Sequence, residues 1–140
     1  MQQYDFFRKI GAVAIDPQNA RQSLRVLNQA AGFLSIPGRS LYFYPQGEMF
    51  TESAPLHFQG GLTRLSGICT NTDIVPLAIT ITTIRYDKPE LLLRTDEPVN
   101  ISESTSKQER TRIFEARLQN LLNLNQKACK TGSNGYQRLI

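Results

Sequence analysis

Histidine and cysteine are scarce in this chain: one His and two Cys in 140 residues. With a single His and no Cys cluster, a metal site is not expected. Cys69 and Cys129 stand alone, which excludes a disulfide framework and suits a reducing cytosol. Long apolar runs are missing as well. None approaches the ~18 residues that span a bilayer, and the N-terminus has no apolar signal core. A membrane-crossing segment is therefore not expected. A formal charge of +4 and a pI near 9.3 suit anionic lipid or nucleic acid as a partner, and the expected location is cytoplasmic, peripheral on the inner face of a membrane. The basic residues are scattered (Arg8, Lys9, Arg21, Arg25, Arg64, Arg85, Arg110, Arg112), and no nucleic-acid motif accompanies them, so nucleic acid is not an expected partner. Neither glycine-rich phosphate loop is present, which disfavours a nucleotide-binding α/β domain. Internal repeats, low-complexity tracts and linkers are also lacking.

What is present has the balance of an ordinary α/β protein, with 40% apolar and 20% charged residues. The length suits one domain over residues 1–131, followed by a tail over 132–140. Residues 10–15 form a short apolar run, expected to be a strand covered on both faces. Asp16-Pro17 then has the form of a helix cap with Pro at the first helical position. Leu24, Leu27, Ala31 and Leu34 recur at three- and four-residue steps and put one apolar stripe on a helix that Pro37-Gly38 ends. Residues 40–44 read as a second strand, making a strand–helix–strand unit whose crossover is expected to be parallel and right-handed. A polar loop follows over 46–54, then a helix from about Gly60 to Cys69. Residues 74–84 read as a long strand, Lys88-Pro89 as a turn, and 91–94 as an antiparallel partner. Ser106-Lys107-Gln108-Glu109 has the form of a capping box, opening a helix with Ile113, Phe114, Leu118, Leu121, Leu122 and Ala128 on one side and Gly132 at its end. The expected fold is α/β, a mainly parallel sheet with helices packed on it.

Four segments carry a family resemblance. Phe6-Phe7-Arg8-Lys9-Ile10-Gly11-Ala12-Val13-Ala14-Ile15-Asp16, Tyr44-Pro45-Gln46-Gly47-Glu48, Phe58-Gln59-Gly60-Gly61 and Ile74-Val75-Pro76-Leu77-Ala78-Ile79 resemble, in order and spacing, blocks of the glycerolipid acyltransferases, the family of lysophosphatidic acid acyltransferase. The resemblance runs from about Tyr4 to Ile84. It implies acyl transfer from acyl-CoA or acyl carrier protein, as co-substrate, to a lipid hydroxyl, with no cofactor and no metal. The substrate-binding residues it implies are Pro45, Gln46, Gly47, Glu48, Gly60 and Gly61, to which Arg64, one helical turn beyond Gly60-Gly61, is added as a candidate cation.

The family's catalytic block, His-x-x-x-x-Asp, is missing. In that block the His takes the acceptor hydroxyl's proton and the Asp orients the imidazole. The only histidine, His57, has Leu62 five residues on and reads as a loop residue beside Phe58. No catalytic residue is therefore assigned. The block lies upstream of the family's second block, which Phe6–Asp16 resembles (Tyr44–Glu48 resembles the third), so the resemblance implies the C-terminal part of such a domain, truncated at its N-terminus and inactive by itself. The family's phosphate-holding cations fall on Pro17, Met49 and Gln59, and its third-block Glu falls on Gln46. Arg64 is the remaining candidate cation. A Gln keeps hydrogen-bonding shape without charge and suits a neutral hydroxylated headgroup. A non-catalytic remnant, or a lipid-binding or interaction module, is the alternative reading.

Overall fold

The computed structural model describes residues 9, 11–16, 18–47, 55–83, 88–102 and 104–131. Its elements in chain order are α1 (Ala20–Leu34), α2 (Gly60–Ile68), β1 (Leu77–Thr82), β2 (Glu90–Thr95) and α3 (Lys107–Thr131). The chain divides into two compact units, Met1–Thr72 and Asp73–Ile140.

In the first unit α1 packs against α2. The cap of α1 is Asn19, whose side chain accepts the Gln22 N–H at 3.0 Å. Asp16 works one turn earlier than the sequence suggested: its carboxylate accepts the Gln18 N–H, while its carbonyl accepts from Asn19 and from the Ser23 hydroxyl. Of the predicted stripe, Leu27 and Ala31 are buried, Leu34 is half-buried and Leu24 is exposed. Phe58 and Leu65 complete the buried apolar set of this unit, each large side chain contributing about 1.5–3 kcal/mol when fully buried.

In the second unit β1 and β2 pair antiparallel, with Leu77 opposite Thr95 and Thr82 opposite Glu90. Pro76, which has no N–H to give a ladder, directly precedes β1. The chain still runs alongside itself beyond the ladder, the Val99 N–H donating to the Ile74 carbonyl at 2.9 Å. Helix α3 packs along the hairpin, burying Phe114, Leu121, Asn125, Ala128 and Cys129. These recur at steps of seven, four, three and one, so they lie on one side of the helix. Ile113, Leu118 and Leu122 flank them half-buried. Ser106 caps the helix as expected, its hydroxyl accepting the Glu109 N–H at 3.2 Å. Gly132 and the tail 132–140 lie outside the described residues.

The expected mainly parallel sheet is not there. Among the described residues the sheet has two strands, and they form a hairpin. Residues 12–16 have no regular secondary structure, and Val13 is 68% exposed. Residues 40–44 are likewise irregular, so the strand–helix–strand crossover is absent. The strand expected over 74–84 is confined to Leu77–Thr82, with Ile84 outside the described residues. The physical reason is cooperativity of pairing. An apolar run becomes a strand only when a neighbour satisfies its backbone. A parallel neighbour needs a crossover of about a dozen residues or more, whereas a hairpin closes locally. The connection over 83–89 is short enough for that.

Candidate functional site

The best-formed candidate site lies in the first unit, where the Tyr44–Gly47 turn meets the start of α2. The Gly47 N–H donates to the Tyr44 carbonyl at 3.3 Å, which closes a turn with Pro45 and Gln46 at its centre. Gly47 has φ +71°, a left-handed conformation that a side chain strains. The Pro45 carbonyl then accepts the Gln59 N–H at 2.8 Å. Gln59 is the cap residue of α2, in extended backbone with no side-chain cap bond. A methyl built on Gly47 would lie 3.7 Å from Gln59 Cγ, in ordinary contact. Two segments more than ten residues apart are thus held together at the backbone.

The two glycines that open α2 differ. A methyl on Gly61 would meet Phe43 Cζ at 3.1 Å and Leu27 Cδ2 at 3.9 Å, so Gly61 lets the Phe43 ring sit close against the helix. Nothing lies within 4 Å of a methyl on Gly60. Gly60 therefore faces open space. Arg64, four residues on, shares that helix face and is exposed. Gln46 and Pro45 are half-buried.

Of the substrate-binding residues expected from sequence, Pro45, Gln46 and Gly47 are brought to Gln59 and the start of α2, and Gly60 and Arg64 lie on the open face of that helix. Gly61 turns inward as a packing residue. Glu48 lies outside the described residues, as do Pro17 and Met49. The first of the four segments, residues 6–16, is described only over residues 9 and 11–16, which are exposed. The fourth belongs to the other unit. His57 is exposed. Among the described residues no group of three or more His, Cys, Asp or Glu is placed to hold a metal ion. No helix among them is long and apolar enough to cross a membrane.

The second unit holds a polar cluster that sequence reasoning missed. Asn125 is fully buried on α3. Its Oδ1 accepts from Arg94 Nε at 3.1 Å, and its Nδ2 donates to Thr80 Oγ1 at 3.1 Å and to the Leu92 carbonyl at 3.5 Å. One side chain thereby ties α3 to both strands. The signal was available: Asn125 stands four residues after Leu121 and three before Ala128, in the middle of the apolar stripe. Both the oxygen and the nitrogen of the Asn125 amide are engaged by other parts of the fold, which makes it a structural clasp.

Comparison with protein-family models, with curated proteins and with solved structures returns no match to this chain.

Proposed function

We propose that the chain is a lipid-handling protein of the glycerolipid acyltransferase type, and that by itself it holds the lipid acceptor without transferring an acyl group. The observation that carries this reading is the 2.8 Å bond from the Gln59 N–H to the Pro45 carbonyl. It joins two of the four segments on which the family resemblance rests, Tyr44-Pro45-Gln46-Gly47 and Phe58-Gln59-Gly60-Gly61. The parallel sheet expected with that resemblance forms no part of the proposal. The acceptor's hydroxylated headgroup lies over the turn, with the Gln46 amide as donor and acceptor and Arg64 at the margin. Were the family's catalytic block supplied, the acyl donor would be acyl-CoA or acyl carrier protein. The protein works peripherally at the cytoplasmic face of a membrane.

The headgroup class follows from charge. Gln46 and Gln59 are neutral, and a phosphate favours bidentate Arg or a Lys charge. A dianion left partly desolvated beside neutral amides is disfavoured. The full chain is therefore expected to bind monoacylglycerol more tightly than lysophosphatidic acid, both tested below their micelle concentrations. Gln46→Ala should weaken monoacylglycerol roughly three- to tenfold, the loss of one neutral hydrogen bond. Tighter binding of lysophosphatidic acid, or no effect of Gln46→Ala, would refute the assignment.

A further inference from the structure

We propose that residues 33–44 form a surface that docks on an anionic lipid bilayer, with Tyr42 and Tyr44 entering the interfacial layer and Arg39 among the headgroups. The proposal deepens the lipid reading above and rests on it for the choice of ligand. The surface itself rests on other observations. Tyr42 and Tyr44 are 78% and 79% exposed. Phe43 between them packs against Gly61, so the chain is anchored to α2 at Phe43 while the tyrosine on either side of it stays in solvent. Phe33, Ile36 and Leu41 are also exposed. The Ile36 N–H donates to the Phe33 carbonyl and the Arg39 N–H to the Ile36 carbonyl. This folds the end of α1 back so that the Arg39 guanidinium lies 4.6 Å from the centre of the Phe33 ring.

Charge decides the occupant. Residues 17–47 contain Arg21, Arg25 and Arg39 and no Asp or Glu, and all three arginines are exposed. A stretch of one positive sign carrying exposed tyrosines matches an anionic bilayer: tyrosine rings settle at headgroup depth, and basic residues are drawn to anionic lipid. Tyr44 is followed at once by Pro45, Gln46 and Gly47. Docking here sets the acceptor turn at the depth where a lipid headgroup lies. Among the described residues, the aliphatic outer face of the hairpin in the other unit carries no exposed tyrosine.

The chain contains no tryptophan, so single substitutions make site-specific fluorescent reporters. Full-length Tyr42→Trp and Ile81→Trp are mixed with vesicles of phosphatidylcholine, with and without phosphatidylglycerol. The expected result is a shift to shorter wavelength for Tyr42→Trp with the phosphatidylglycerol vesicles, a smaller one with phosphatidylcholine alone, and none for Ile81→Trp. Replacing Tyr42 and Tyr44 together by Ser should lower vesicle co-sedimentation roughly tenfold, and Arg39→Ala roughly fivefold. These side chains are exposed, and circular dichroism identical to the parent confirms that each variant folds. Co-sedimentation with a silent Tyr42→Trp, or with only Ile81→Trp shifting, overturns this surface and leaves the lipid reading standing. Binding of monoacylglycerol without vesicle binding also rejects the surface and keeps the acceptor assignment. A Tyr42→Trp shift in membrane-free lysate but not with vesicles points to a protein partner and overturns the bilayer.

Discussion

Asn125 shows what one residue decides here. It is buried among apolar neighbours, yet it bonds to Arg94, Thr80 and the Leu92 carbonyl. Asn125→Ala leaves a small cavity and removes a partner from each of these groups, so urea unfolding should show a loss of about 2–4 kcal/mol. A loss below ~1 kcal/mol would mean that water replaces the amide without difficulty. The glycines of the candidate site should separate by backbone and space. Gly60→Ala, with open surroundings, should gain about 0.4–1 kcal/mol. Gly61→Ala should gain less or nothing, because Phe43 must give way. Gly47→Ala, at φ +71°, should cost about 1–2 kcal/mol. Equal effects at all three positions would contradict the described turn. At Cys69, burial pushes the thiol up from its ordinary range. A thiol raised by folding stays protonated longer in the native state. Its stabilising contribution is present below the unfolded thiol's pKa and is lost as pH rises through the folded one. Iodoacetamide should therefore label Cys69 more slowly in the native chain than in urea, with the buried Cys129 slower still.

The hairpin and its helix divide their side chains by the period of two. Ala78, Thr82 and Leu92 are buried, while Ile79, Ile81, Leu91 and Leu93 are exposed on the other face. The exposed four form two directly opposed pairs, Ile79 with Leu93 and Ile81 with Leu91. Ile81 is 66% and Leu91 58% exposed, so the chain should bind a hydrophobic dye under native conditions and associate as concentration rises. Ile81→Thr with Leu91→Thr should reduce both while moving the urea midpoint little. Unchanged dye binding in that double variant would show that the dye sits elsewhere. At the other end of the unit, the Ser106 cap predicts that Ser106→Ala costs about 1 kcal/mol of stability. The Arg117–Asp96 pair at 3.0 Å is partly exposed, and its removal should change stability by less than ~1 kcal/mol.

For the molecule as a whole, the sharpest expectation is negative. The sequence holds one His and no His-x-x-x-x-Asp. A positioned general base is worth a factor of about 100–10,000 in rate. The purified 140-residue chain should release thiol from acyl-CoA no faster than a heat-killed sample, with or without a lipid acceptor. Acceptor-dependent release well above that control would show that a different base operates.

Local signals were legible in the sequence, and pairing was not. The helix ended by Pro37-Gly38, the helix opened by Gly60, the Ser106 cap and the antiparallel pairing of the region around Leu77 with that around Leu91 all follow from spacing, breakers and caps, which act within a few residues. The Pro45-Gln46-Gly47 turn was likewise readable from Pro and Gly alone. Tertiary structure decided the rest. Whether residues 10–15 and 40–44 become strands depends on a neighbour to satisfy their backbones, and apolar composition says nothing about that neighbour. Whether Gln59 meets Pro45 depends on how α1 and α2 pack around Phe43 and Leu27. Whether an Asn inside an apolar stripe faces water or a buried hydroxyl depends on the strand brought beside it. Backbone satisfaction across long separations is a property of the folded chain, and no window of sequence contains it.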